Sequence, residues 1–472
     1  MSIVRQQTVG GFAHAAKCIR CLVMAAQTGD SPTTASDPPR GALLVVFLTV
    51  FIDLLGFGIV LPVMPRQAEP YLQTLGLPPA GIGAMIGVLF SVFSLMQFVF
   101  SPIWGRLSDR IGRRPLLILS LLGSVIFYAL YGYAVTYPES QATTAIALML
   151  LSRIGAGIAG ASVGTAAAVI ADCTPPEKRA RGMALIGIAF GAGFTLGPLI
   201  AYFGLALFRQ QPWGVGALAS LLSFVALLIA VFVFRETRRP GVRNAKEFFS
   251  LSRTAAVLGI PAIGALVLTY FLSIFAFANF EATLARLTKQ SFGMSDDDNF
   301  LVFAFIGVVL MIAGGLYRPL AKRFPEGRLL AAGVALMILG LGGLGLVALA
   351  VHRQAVSGRV PSLLENLFFA VSAISVVGFA FVNPSVSALL SKGADPDEQG
   401  EVLGVNQSFA SLGRILGPFL GSLLFSLHDS RTLPFVAAVA VLCLVAALLP
   451  RATAISVSPG HAAPTGGGGP PG

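Results

Sequence analysis

Asp53 is the one charged residue in the run FIDLLGFGIVLPVMP, Phe51 to Pro65. A charge at the centre of a membrane helix costs roughly 2.5–3.5 kcal/mol even on lenient insertion scales, and such groups mark proton, ion or substrate paths. Two more charges share this situation, Arg153 in SRIGAGIAGA and Arg414 in LGRILGP, while Glu281 in FANFEATL lies toward the outer end of its span, where a charge is cheaper to hold. A carboxylate beside a water-filled cavity is a suitable proton carrier. Burial and a neighbouring guanidinium pull in opposite directions on a carboxylate's hold on its proton. An Asp–Arg pair at the same depth therefore has either proton-carrying chemistry or the plain role of a structural ion pair.

The surrounding elements must be membrane helices for this chemistry to apply. The chain has 472 residues, is 55% hydrophobic and only 11% charged, against about 25% charged for an average soluble protein. Twelve apolar runs, centred near Leu54, Ser91, Gly123, Ala156, Gly193, Phe224, Ile274, Val308, Gly340, Ser375, Gly413 and Val441, are each long enough to cross a bilayer. The expectation is an all-α polytopic membrane protein. Span 1 starts near Ala42 and span 4 near Thr143, on opposite sides. At the helical rise Asp53 is then roughly 16 Å deep and Arg153 about 15 Å. Both reach the midplane.

Of the 32 Lys and Arg residues, 23 fall in the tails and the loops after the even-numbered spans. The positive-inside rule places both termini in the cytoplasm. The net charge of +11 follows from that bias, so no nucleic-acid partner is expected. The reading divides the chain into a cytoplasmic tail 1–41, a six-helix bundle 42–235, a cytoplasmic linker 236–258, a second bundle 259–450 and a disordered Gly/Pro-rich cytoplasmic tail 451–472. Cys18-x-x-Cys21 has no second pair or histidine cluster to complete a metal site, and no metal or other cofactor is expected. No phosphate-binding G-x-x-x-x-G-K-[ST] loop is present, which argues against ATP drive. An enzyme is not expected, because all four histidines lie outside span centres and no nucleophile–base set is visible.

The halves repeat. LTVFIDLLGFG at 48 aligns with LTYFLSIFAFA at 268, and the segment ending at Pro198 aligns with that ending at Pro418, a constant offset of 220. At that offset Asp53 becomes Ser273 and Arg153 becomes Ala373, so acid and base are absent together from the second half. Two parallel six-helix halves with a solute site between them near the midplane is the expected architecture.

GRLSDRIGRRP, Gly105 to Pro115, closely resembles the signature of the major facilitator superfamily between its second and third helices, a likeness extending over residues 42–450. The resemblance implies a conformational latch of Gly105, Asp109, Arg110, Gly112 and Arg113. In the family, the Asp sits at the start of helix 11 and the Arg pairs with an acid ending helix 4, here Asp172. These contacts favour the outward-open state. The second-half loop PLAKRFPEGR has Arg323 where Asp109 would fall. GAGFTLGP with Gly187 before it, comprising Gly187, Gly191, Gly193, Gly197 and Pro198, resembles the fifth-helix antiporter motif of drug:proton antiporters. Gly-rich helix packing is the alternative, since LGRILGP recurs in the second half. The opening run resembles the first-helix motif of the tetracycline-efflux type, although spans 3 and 9 lack the acids of that type.

The resemblance implies a monomeric secondary transporter in the cell (inner) membrane that exports a small amphipathic or apolar solute in exchange for protons. Its proton-coupling residues would be Asp53 and Arg153, on helices that line the cavity in the family. Candidate cavity residues are Arg414, Glu281, Asn279, Gln97, Asn383, Gln407 and Phe277, with Phe90, Phe93, Phe98, Tyr270 and Phe379 as a possible aromatic wall. Arg414 is either a substrate contact or a packed partner of Glu281 or of backbone carbonyls. Symport, facilitated diffusion and a non-transporting receptor of the same fold are the other readings.

Overall fold

The computed structural model describes residues 42–173, 179–209, 211–237, 251–354, 361–394 and 399–453. Residues 1–41 and 454–472 and most of the linker lie outside the described residues, as do the side chains of Asp53, Asp172, Gly187 and Gly191. Arg451 and Ala452, read as the start of the C-terminal tail, end the last helix. Among the described residues the secondary structure is helical throughout.

Every expected span centre falls inside a helix. The first span is α1 (Ala42–Val60) followed by α2 (Met64–Thr74). The two are bent by 46° at the turn between them. Pro62 lies in that turn and Pro65 just after it, and a proline lacks the N–H a continuous ladder needs. Next come α3 (Pro79–Ile111) and α4 (Arg113–Ala134), then α5 (Ala142–Ala159) and α6 (Val163–Cys173), joined by a 3₁₀ turn at Gly160–Ser162. The half ends with α7 (Arg179–Leu207) and α8 (Gly214–Val233).

In the second half a short α9 (Leu251–Gly259) precedes α10 (Pro261–Gln290), α11 (Asp296–Ala321), α12 (Glu326–Gln354), α13 (Ser362–Gly393), α14 (Gln399–Leu427) and α15 (Leu433–Ala452). Residues 251–258, read as linker, are therefore part of a helix. Asp296, Asp297 and Asp298 begin α11, where Ser295 and Asp298 form a reciprocal capping box and the acids suit the positive end of the helix dipole.

Among the described residues ten helical stretches are long and apolar enough to cross a membrane, and the bent α1–α2 pair makes an eleventh. The 29-residue α7 completes the set. It starts at the end of α6 and must reach the start of α8, where Gly216 packs against Gly132 at the far end of α4. With α7 in the place of the remaining expected span, Ala42 and Ala452 fall on the same face, here the terminal face.

The 220-residue repeat is visible in the packing. A Cβ on Gly193 of α7 would meet Leu54 and Leu55 at 2.8–3.1 Å, and one on Gly197 would meet Gly58 and Ile59 at 2.7–3.0 Å. The counterparts Gly413 and Gly417 of α14 stand in the same way against Ile274, Phe275, Ala278 and Asn279 of α10. The glycine-rich segments thus bring α7 and α1, and α14 and α10, to backbone contact.

The halves meet along two helix pairs, α3 with α14 and α7 with α11, with α2 also touching α10. Ser91 Oγ donates to Ile415 O at 2.6 Å, and Thr195 Oγ1 to Gly307 O at 3.0 Å. Gly83 and Gly87 press on Ser422, Ser426 and Phe419. These contacts occupy the half of the molecule away from the terminal face. Toward the terminal face, Gly105 and Gly404 have open space where a Cβ would stand, and Gln407 is exposed.

Candidate functional site

Arg153 is 2% exposed in the interior of α5. Its guanidinium carbon lies 4.4 Å from the centre of the Phe93 ring, a cation–π arrangement that strengthens when water is absent. Tyr128 and Tyr131 of α4 interact electrostatically with it. Tyr128 also reaches α1, for a Cβ on Gly56 would fall 2.2 Å from its hydroxyl oxygen. Gly56 follows Asp53 by three residues, one turn along α1. Tyr128 of α4 thus stands between α1, one turn beyond Asp53, and the arginine of α5. The side chain of Asp53 itself lies outside the described residues. A buried guanidinium needs a compensating anion or dipoles, and Tyr128, which also packs on Gly56 of α1, is one such dipole.

Gln97 has a local role. Its amide nitrogen donates to Gly160 O at 3.1 Å, satisfying a carbonyl at the 3₁₀ break between α5 and α6.

The second half builds a different site. Tyr270 donates to Asn383 Oδ1 at 2.9 Å, and Phe277 lies parallel to Phe379 with centroids 3.8 Å apart. These contacts zip α10 to α13 as antiparallel neighbours, with Asn383 exposed and Phe277 buried. Glu281 is one turn beyond Phe277 and only partly buried. Arg414 of α14 interacts electrostatically with both Tyr270 and Glu281. The one hydrogen bond recorded from its guanidinium, among the described residues, goes to Ser411 Oγ at 3.2 Å. Several of its donors are thus left for another group.

The structure gathers Arg414, Glu281, Tyr270, Asn383, Phe277 and Phe379 along one seam. Asn279 is set apart: it is 1% exposed, donates to Pro434 O at 3.2 Å and packs its carbonyl against Gly421.

At the terminal face, Gly112 joins α3 to α4 with φ of 108°, a backbone region open chiefly to glycine. Arg113 Nη1 pairs with Asp109 at 2.6 Å and also donates to Ser108 Oγ. The backbone N–H groups of Arg113 and Arg114 donate to the Glu236 carboxylate at 2.9 and 3.1 Å. An acid at the end of the sixth span thereby caps the start of α4. A Cβ on Gly112 would stand 2.4 Å from that carboxylate. Asp109 and Arg110 are exposed. The expected partner Asp172 lies outside the described side chains. Glu236 was not foreseen; it sits among the arginines of RETRR, where its charge reads as part of a basic linker.

Comparison with known proteins now settles the family. The sequence profile of the Major Facilitator Superfamily matches residues 46–418 and 355–467. The chain belongs to the major facilitator superfamily. Major facilitator superfamily domain-containing protein 10 of Bos taurus is 31% identical over 468 residues, covering 89% of this chain and 94% of the relative. The class C tetracycline resistance protein of Escherichia coli is 31% identical over 397 residues, covering 83% and 91%. Among solved structures, the human organic anion transporter MFSD10 (TETRAN) matches with a TM-score of 0.58 at 27% identity, covering 88% of this chain and all of that one. The chain is a secondary transporter of small molecules and not an enzyme.

Proposed function

We propose that this transporter exports a small amphipathic organic anion in exchange for protons, from the cytoplasmic side of the cell membrane. The observation that carries the reading is the division of labour between the halves. The first half buries Arg153 beside Tyr128, which packs on α1 one turn beyond Asp53, and the second presents the Arg414 guanidinium beside an aromatic wall. An amphipathic anion with a ring suits the second site, since Arg offers planar, multi-donor recognition of a carboxylate. The names of two relatives, an organic anion transporter and a tetracycline resistance protein, support the substrate class and the export direction.

Lysine and arginine bias makes the terminal face cytoplasmic. With that sidedness, the contacts between halves close the outer part and leave the cavity open to the cytoplasm. Asp53 takes a proton from outside when the cavity faces outward and releases it inward near Arg153, and each release readies the second half for the anion. The protein works as a monomer.

Transport of a panel of aromatic carboxylates into proteoliposomes, with and without an imposed pH gradient, tests the reading. Accumulation above the external concentration, present only when the proton gradient opposes solute movement, is the expected result. Flux indifferent to the gradient identifies a uniporter instead.

A further inference from the structure

On the face opposite the termini, two arginines hold the halves together. Arg66 of α2 is 5% exposed and Arg286 of α10 is 3% exposed. They occupy equivalent positions in the repeat, 66 and 286 at the offset of 220. Each reaches into the opposite half. Arg66 Nη1 binds Asp296 at 2.5 Å, Nη2 donates to Thr288 Oγ1 at 3.0 Å, and Nε donates to Ala285 O at 3.2 Å. Arg286 Nη2 lies 3.4 Å from Glu69 Oε1 across the interface, and Gln290 donates to the same oxygen at 2.6 Å.

A relay completes the ring. Thr288 donates to Asn299 Oδ1 at 2.8 Å, and Asn299 Nδ2 donates to Pro62 O at 2.9 Å. Pro62 lies in the turn where the first span bends. The bend therefore exposes a carbonyl that the second half binds, and it aims α2 so that Arg66 and Glu69 both cross over.

We propose that the crossed pair Arg66–Asp296 and Arg286–Glu69, with the Asn299 relay to Pro62, is the gate that closes this face, and that it must break in every transport cycle. The partners of Arg66 and the Glu69 partner of Arg286 belong to the opposite half, so a rocking of the halves separates them as a group, while Arg286 stays anchored in its own half by Ser426 Oγ and the Phe425 ring. Arg66, Arg286 and Glu69 are buried while Asp296 is exposed, so removing Glu69 strands the Arg286 charge, whereas the full set is well compensated. Differential stabilisation of one state shifts the population between states by the same factor. The proposal uses only the two-half architecture. It does not depend on Asp53 or on the identity of the solute, so it can fail while the proposed function stands.

Spin labels at Gln73→Cys and Lys289→Cys, exposed residues that flank one small hollow between the halves, report the state of this face. The background replaces Cys18, Cys21, Cys173 and Cys443 with serine, and the protein is held in lipid nanodiscs. Short inter-label distances should dominate in the parent. Glu69→Gln should raise the long-distance fraction about threefold or more, and Glu69→Asp should restore the parent distribution. Arg66→Gln combined with Asp296→Asn leaves no stranded charge, and it should give the same shift even where a single variant fails to fold. A thiol-specific cross-link between the two cysteines should halt transport. Unchanged distances in the folded double variant, or full transport by cross-linked protein, overturns the proposal.

Discussion

Arg414 is the residue on which the substrate reading turns. Its guanidinium has spare donors beside Tyr270, Glu281 and an aromatic stack. Lysine keeps the charge but loses the planar fork. Arg414→Lys should weaken solute binding by roughly tenfold, the scale of one lost charge-assisted hydrogen bond, with unchanged yield of folded protein. Binding to purified protein by ligand-induced thermal shift measures it; loss of folded protein would identify a packing role instead. Gly112 is a structural counterpart at the same scale. Its φ of 108° and the Glu236 carboxylate against it leave no room for a methyl group. Gly112→Ala should cost about 1–3 kcal/mol, the usual strain of a side chain in such a conformation, seen as a lower unfolding midpoint in detergent. The sequence announces the intramembrane charges directly, because apolar surroundings make each one conspicuous. It is silent about Tyr128 and Phe93 as neighbours of Arg153, since aromatic residues are frequent throughout the spans and nothing in their spacing singles these out.

At the scale of elements, every span centre expected from hydropathy lies within a helix, since runs of apolar residues admit few other backbone solutions in lipid. The interruptions were harder to read. The bend after α1 has a local cause in Pro62 and Pro65, whereas the break at Gly160–Ser162 rests on a Gln97 bond from another helix. Tertiary contacts of that kind leave no local pattern. The antiporter-like glycines of α7 and their copies in α14 make equivalent backbone contacts with α1 and α10. Packing therefore explains their occurrence in both halves, whatever coupling role the first set adds. Gly197→Ala and Gly417→Ala should each destabilise the protein by about 1–3 kcal/mol through overpacking. Gly404→Ala, with nothing within 4 Å of the added atom, should leave the melting temperature unchanged. Equal behaviour of all three in a thermal melt would remove the close-approach argument.

At the scale of the whole molecule, the 220-residue offset makes the two halves legible in the sequence, and the Lys/Arg bias suggests which way they face. Which side is closed could not be read there. The contacts that decide it, Arg66 with Asp296 and Ser91 with Ile415, join residues hundreds of positions apart, and their geometry exists only once the halves have assembled. The expected latch around Asp109 favours the opposite state. In this structure Asp109 is exposed and paired with Arg113 inside its own loop, while the crossed arginines close the other face. The two sets of contacts lie on opposite faces of the molecule.

The most direct test of proton coupling compares two modes of transport in Asp53→Asn. A neutral side chain of the same size cannot gain or lose the proton, yet it leaves the cavity and both gates in place. Exchange of labelled for unlabelled solute needs no net proton movement, whereas accumulation driven by a pH gradient does. In proteoliposomes the variant should keep solute exchange within a few-fold of wild type and lose at least about 99% of gradient-driven accumulation, a change of roughly 2.7 kcal/mol or more. Accumulation by Asp53→Asn at wild-type rates would contradict the account and place the coupling carboxylate elsewhere.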